Sequence, residues 1–438
     1  MNFRRVIYLG MVLALALYTV ACDDTFRPIV IPLNPNPPSG NLLHFAVFLS
    51  SNGPSAPGDT SRIDVSGDTN VGSIQVGIGP VHAALLPNGS ELYVANSLDD
   101  SVSVYNPSAA SLIIPTTISL PVGSVPVFVG TAENNNVYVA NSGNGTVAAI
   151  NAGTNIATII PLSSNPTSFR PVALAETPDA GKVYVANEGA NSVSVITTND
   201  RIAHTPIAVG MSPVWVAMRS DGRRVYVLNS GSGTISTLDT TTDTVLNTVS
   251  VSSGANYMFY DSVFNRLYVT SPASTSLGVL DVSGDQPTVL ASIDLATAAN
   301  SLCAAGCVPT SVTVLPDGGR AYVSFYSISG SPSVLNAGVA VVNTGSRLIT
   351  KFVALPPATI DATNATGCST ARFRLFAAAA PDSTRVYISD CDSGNTGIIQ
   401  TSDDSMVLNL PSPLSAFPAP SPTQQPPLQN PMFVLPGQ

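Results

Sequence analysis

The sequence predicts an all-β chain, a single β-propeller of four-stranded blades, eight by repeat count with seven as the alternative. Three observations carry this. A Tyr-Val phrase returns through the chain at Val94, Val139, Val185, Val227, Val269, Val323 and Ile388, at spacings of 45, 46, 42, 42, 54 and 65 residues. Self-similarity at about 40 to 50 residues marks stacked or ring architectures. No stretch beyond the N-terminus has the apolar period of an amphipathic helix, whereas short alternating runs punctuated by Gly, Asn, Asp and Ser are frequent. Finally, the two ends of the chain read as complementary fragments of one unit.

In chain order, the first element is a leader. Arg4 and Arg5 precede the apolar run "VIYLGMVLALALYTVAC", the layout of an export signal over residues 1–21. Its end, Thr19-Val20-Ala21-Cys22, resembles a bacterial lipoprotein cleavage site, which implies lipid on Cys22 and a membrane-anchored mature chain. Ordinary cleavage, giving a secreted protein, is the alternative. Residues 22–40, with "PLNPNPPSG", read as an extended tether. The propeller then occupies 41–438. "LLHFAVFLSS", "SRIDV" and "GSIQVG" read as second, third and fourth strands without a first. Seven full units follow, each with a strand that typically opens on Pro, such as "PVHAALLPNG", then the Tyr-Val strand and two more. A Pro-rich crossover, 411–430, leads to "PMFVLPG", whose residues 431–436 have the form of the missing first strand. That strand would close the ring and leave no free sheet edge.

The phrase itself, as Tyr93-Val94-Ala95-Asn96, Tyr138-Val139-Ala140-Asn141, Tyr184-Val185-Ala186-Asn187 and Tyr226-Val227-Leu228-Asn229, resembles the YVTN-type β-propeller repeat of bacterial and archaeal surface and envelope proteins. Later copies diverge to Tyr268-Val269-Thr270-Ser271, Tyr322-Val323-Ser324-Phe325 and Tyr387-Ile388-Ser389-Asp390. The Asn residues are expected to hydrogen-bond their own turn backbones.

Bulk properties narrow the function classes. The formal charge of −10 becomes −12 once Arg4 and Arg5 leave, which argues against nucleic acid, a partner that needs a basic face. Beyond Cys22, four cysteines remain, a count suited to two disulfides in an oxidising compartment. Cys303 with Cys307 and Cys368 with Cys391 is the preferred pairing, since each then joins loops at the start of one blade. Metal or redox chemistry at these cysteines is a weaker reading, because no CxxC is present.

Candidate sites come from comparing the units. Two residues after Pro80, Pro126, Pro171, Pro213, Pro309 and Pro431 stand His82, Phe128, Ala173, Trp215, Ser311 and Phe433, with Tyr257 and Phe376 at the equivalent places of the two remaining units. Six of these eight are aromatic or His. They are expected to pack between neighbouring blades near the inner ring, with ligand contact by His82, Phe128, Trp215 and Tyr257 as the alternative. In "PVHAALLPNGSELYVAN", His82 resembles the innermost-strand pattern of propeller lactonases of the phosphogluconolactonase type, which implies lactone hydrolysis with His82 as general base. His44 and His204 stand in other contexts, so no three-His metal site is expected. Arg170, Arg372 and Arg374 fall near first-strand starts, as an anion site or as partners of local carboxylates. Asp99 with Asp100, and Asp390 with Asp392, lack the full EF-hand pattern.

The reading is an exported, lipid-anchored, monomeric binding or interaction module at the cell envelope. It takes an envelope protein or a small ligand, with no cofactor, no metal and no membrane contact except through its lipid. A lactonase-like hydrolase using the central funnel is the alternative.

Overall fold

Hydrogen-bonded pairing sorts the strands into eight antiparallel sheets. The computed structural model describes residues 45–436 apart from 65–68, 109–113, 132–135, 298–299, 304–305, 331–332, 360–367, 369–372 and 412–429. The leader with Cys22, the tether, His44, Arg372 and nearly all of the crossover lie outside the described residues.

Blade 1 is composite. Phe45–Ser51, Pro57–Asp64 and Thr69–Ile78 supply its outer three strands, and Asn430–Pro436 pairs antiparallel with Phe45–Ser51 as the innermost. The innermost strands of blades 2 to 8 are Pro80–Leu85, Pro126–Thr131, Pro171–Glu176, Pro213–Met218, Tyr257–Asp261, Val308–Val314 and Leu375–Ala379. Each packs against the next, and the closing strand lies between blade 8 and blade 2, so the ring of eight is complete. Two blades depart from four plain strands. Blade 4 splits its outer strand into Ile202–Ala203 and Ile207–Ala208, and blade 7 adds Ala358–Thr359.

The Tyr-Val strands explain themselves by burial. All five residues of Leu92–Asn96 are buried, as are the last five of Asn136–Asn141, Lys182–Asn187 and Arg224–Asn229. A blade has neighbours on both faces, so alternate side chains are covered on either side rather than one set facing water. Burying each large apolar side chain contributes about 1.5–3 kcal/mol. A one-residue slip would send every Tyr to the wrong junction.

The strand-end Asn residues differ from expectation. Asn96 Nδ2 donates to the hydroxyls of Ser101 and Ser103 at 3.0 and 2.9 Å, and Asn187 and Asn229 repeat the contact on Ser192 and Ser194 and on Thr234 and Ser236. Asn141, with Ala148 at the third-strand place that Ser103 holds in blade 2, bonds Thr146 alone among the described residues. They bond side chains of the third strand, not turn backbone, because they are wholly buried within the sheet and the third-strand hydroxyls are the donors and acceptors in reach.

Antiparallel alternation places the 2–3 loops and the loops between blades at one end of the ring, here the Pro end, and the 1–2 and 3–4 turns at the other. Disulfides Cys303–Cys307 and Cys368–Cys391 both lie at the Pro end. The first sits beside the long hairpin of blade 7, Arg320–Ser329 and Val334–Asn343, where Ser327 Oγ donates to the Leu302 carbonyl. Two disulfides fit an oxidising, extracytoplasmic compartment.

Candidate functional site

The second-position residues of the innermost strands do more than pack between neighbouring blades: they close on one another around the axis. His82 stacks on Phe128 with ring centroids 4.1 Å apart, Phe128 meets Trp215 at 5.6 Å, and Trp215 meets Tyr257 at 4.7 Å. Tyr257 meets Phe376 at 5.7 Å, Phe376 meets Phe433 at 4.6 Å, and Phe433 returns to His82 at 4.6 Å. The hoop skips blades 4 and 7, whose small Ala173 and Ser311 let the flanking rings reach across. Phe373, in the loop leading into blade 8, covers three members from the Pro end. Such pairs each add about 0.5–1.5 kcal/mol beyond buried area. The closing strand supplies Phe433, so ring closure and channel filling depend on the same side chain.

His82 is therefore held, not free in an open funnel. The Val129 amide donates to its Nδ1 at 3.3 Å, which leaves Nε2 as the proton-bearing nitrogen of the neutral ring.

Beyond the hoop, toward the C-terminal ends of the innermost strands, lies a cavity of about 460 Å³ lined among others by His82, Phe128, Tyr138, Leu174, Glu176 and Phe433. This is the size range of small-molecule sites. Gly130 makes part of the room, since a Cβ there would come within 2.5 Å of Leu174 Cδ1. Glu176 ends the innermost strand of blade 4. Burial among apolar neighbours, reinforced by the Asp179 charge, pushes its carboxyl up to about 7.

The blades clamp on one another through the buried Tyr of the repeat. Tyr93 of blade 2 donates its phenol to Asn155 of blade 3 at 3.1 Å, Tyr184 of blade 4 to Asp243 of blade 5 at 2.5 Å, and Tyr322 of blade 7 to Asp404 of blade 8 at 2.5 Å. Each acceptor closes the 3–4 turn of its blade at positive φ, 55°, 53° and 54°. Asn and Asp tolerate that left-handed conformation better than other side chains do. One residue thus serves the turn and the neighbour's Tyr. Blade 4 has Arg201 at that place, φ 57°, and a guanidinium cannot accept. Arg201 donates instead to Thr158 Oγ1 at 2.5 Å. The Tyr138 hydroxyl, buried and lining the cavity, has no partner among the described residues.

The remaining sequence candidates do not converge on this cavity. Arg170, 60% exposed along its side chain, pairs with Glu188 at 3.2 Å. Arg374 pairs with Asp392 at 3.0 Å and lies over the Tyr326 ring at 5.6 Å. Both belong to the Pro end, whereas the cavity extends toward the other. Trp215 and Tyr257 are in the hoop but do not line it. Among the described residues no three His, Cys, Asp or Glu side chains gather as metal ligands do. Glu176 and Tyr138 were not singled out from the sequence.

No protein-family profile matches the chain, and no curated protein matches it in sequence. Solved structures do resemble it. Dihydro-heme d1 dehydrogenase NirN in complex with DHE superposes with a TM-score of 0.66 at 12% identity, covering 90% of this chain and 75% of that one. A protein from Lactobacillus plantarum gives 0.52 at 19% identity over 72% and 95% of the two chains. Virginiamycin B lyase from Staphylococcus aureus gives 0.51 at 14% over 72% and 92%. At such identities the likeness carries the fold and no activity: the chain is an eight-bladed β-propeller.

Proposed function

We propose that the chain is an exported propeller of the YVTN type, anchored by lipid on Cys22, that works as a binding module at the cell envelope and holds a small ligand between blades 3 and 4. The observation that carries this is the aromatic hoop. It fills the channel and leaves an apolar-walled cavity of drug-sized volume with a few polar groups, the general form of a ligand site. The disulfides agree with export. Mass spectrometry of the mature N-terminus tests the anchor: diacylglyceryl on Cys22 is expected, and an unmodified start elsewhere removes it.

A lactonase-like hydrolase is the second reading, favoured by one observation: His82 and a carboxyl titrating near neutrality line the same cavity. Purified protein is expected to leave sugar lactones intact. Lactone opening that disappears in folded His82→Ala and Glu176→Gln proteins would make the chain an enzyme.

A further inference from the structure

Accepting the cavity as a ligand site, we propose that it selects small organic cations, taking an ammonium group on Glu176 and the apolar body against the rings of Phe128 and Phe433. The chemistry of the walls leads there. Glu176 is the only carboxylate three residues after the second-position residue in any of the eight innermost strands, whose other occupants there are Leu85, Thr131, Met218, Tyr260, Val314, Ala379 and Pro436. None of the described lining residues is Lys or Arg. The unpartnered Tyr138 hydroxyl offers lone pairs to an N–H donor. The rings of Phe128 and Phe433 give the apolar body of such a ligand a surface from which water is displaced. The chain's net charge of −10 draws cations toward it over longer range.

The surrounding charges determine how binding depends on pH. Asp179 adds negative potential at Glu176, and Tyr138 stands close enough that the two feel each other. Arg201, whose charge also reaches Tyr138, is directed onto Thr158. His82 accepts the Val129 amide at Nδ1. A cation arriving beside a half-protonated Glu176 favours the ionised carboxylate, so binding releases a proton and strengthens as pH rises through neutrality.

Calorimetric titration of the purified mature protein with three probes of one shape tests this: phenethylamine, phenethyl alcohol and 3-phenylpropionate. The amine is expected to bind about tenfold or more tightly than the alcohol. The preference should disappear in Glu176→Gln and weaken at about pH 6 relative to about pH 8. Equal binding of amine and alcohol, or a preference that survives Glu176→Gln, overturns the cation selectivity and leaves the ligand site standing. Binding by none of the three to the folded wild type overturns the ligand site as well. Binding that is unchanged in Ala84→Leu, which fills the cavity from its blade 2 wall, places the ligand elsewhere and also overturns it. Should Glu176→Gln fail to fold, the pH series on the wild type makes the same decision.

Discussion

The junction between blades 4 and 5 and the junction between blades 3 and 4 are built from the same repeat, with a buried Tyr of one blade facing the 3–4 turn of the next. At the first, Tyr184 and Lys182 both reach Asp243, at 2.5 and 2.7 Å. At the second, Tyr138 faces a turn that ends in Arg201, and the hydroxyl stays buried without a partner. A turn residue chosen for positive φ thus also decides whether the neighbouring blade is latched. Where it cannot accept, polar capacity is left over: at Arg201 beside Tyr138, where the cavity with Glu176 lies, and at Arg347, φ 59° in the 3–4 turn of blade 7, where the Tyr268 hydroxyl of blade 6 is likewise buried without a partner among the described residues. The repeat builds the ring, and its departures leave buried polar groups over.

The largest effect expected from this contrast is on stability. Tyr184→Phe removes a hydrogen bond to a charged acceptor and is expected to cost about 1.5–3 kcal/mol. Tyr138→Phe removes a hydroxyl that has nothing to lose and is expected to change stability by less than about 0.5 kcal/mol in either direction. Urea unfolding of the two variants beside the wild type measures the difference. Equal costs would mean that Tyr138 is latched after all, and the contrast between the junctions would collapse.

A smaller effect is expected from repairing the junction at Tyr138. Arg201→Asn places at φ 57° the residue type that Asn155 supplies in blade 3. The new acceptor for Tyr138 is worth about 0.5–1.5 kcal/mol, reduced by loss of the Arg201 bond to Thr158. The variant should unfold at slightly higher urea, and Tyr138→Phe made in its background should now be costly. If the two changes simply add, the introduced amide has not engaged the phenol.

How much of this could be read in advance differs between fold and site. Blade number and ring closure were legible because the Tyr-Val phrase keeps its period and because the chain ends complete each other's strands. The Tyr clamps were hidden for a physical reason: Tyr93 and Asn155 are 62 residues apart, and only docking of successive blades makes them partners. The aromatic enrichment at the second position was visible, but its closure into a hoop depends on ring curvature and on Ala173 and Ser311 leaving space, which no local pattern encodes. Likewise, the cavity's position away from Arg170 and Arg374 follows from which end of the channel Phe373 covers. Glu176 could have been found. Comparing the innermost strands at the fifth position as well as the second isolates it, though nothing in one strand's sequence reveals how far its carboxyl is desolvated.

The smallest expected effect concerns that carboxyl. In the unfolded chain Glu176 titrates near the ordinary glutamate value, about 4.3, whereas burial in the folded protein pushes it up to about 7. Between those values the folded state holds the proton more often than the unfolded state does. The contribution is thus fully present below the unfolded value and is lost as pH rises through about 7. Glu176→Gln cannot titrate, so its melting temperature should gain on that of the wild type as pH rises through this window and run parallel to it above. Asp390, pushed up to about 6 by burial at the Pro end, adds a slope of its own, but both proteins share it and it cancels in the difference. A gap between the two melting curves that stays constant with pH would show Glu176 to be solvated like any surface carboxylate, and the unlatched junction would then hold no desolvated charge.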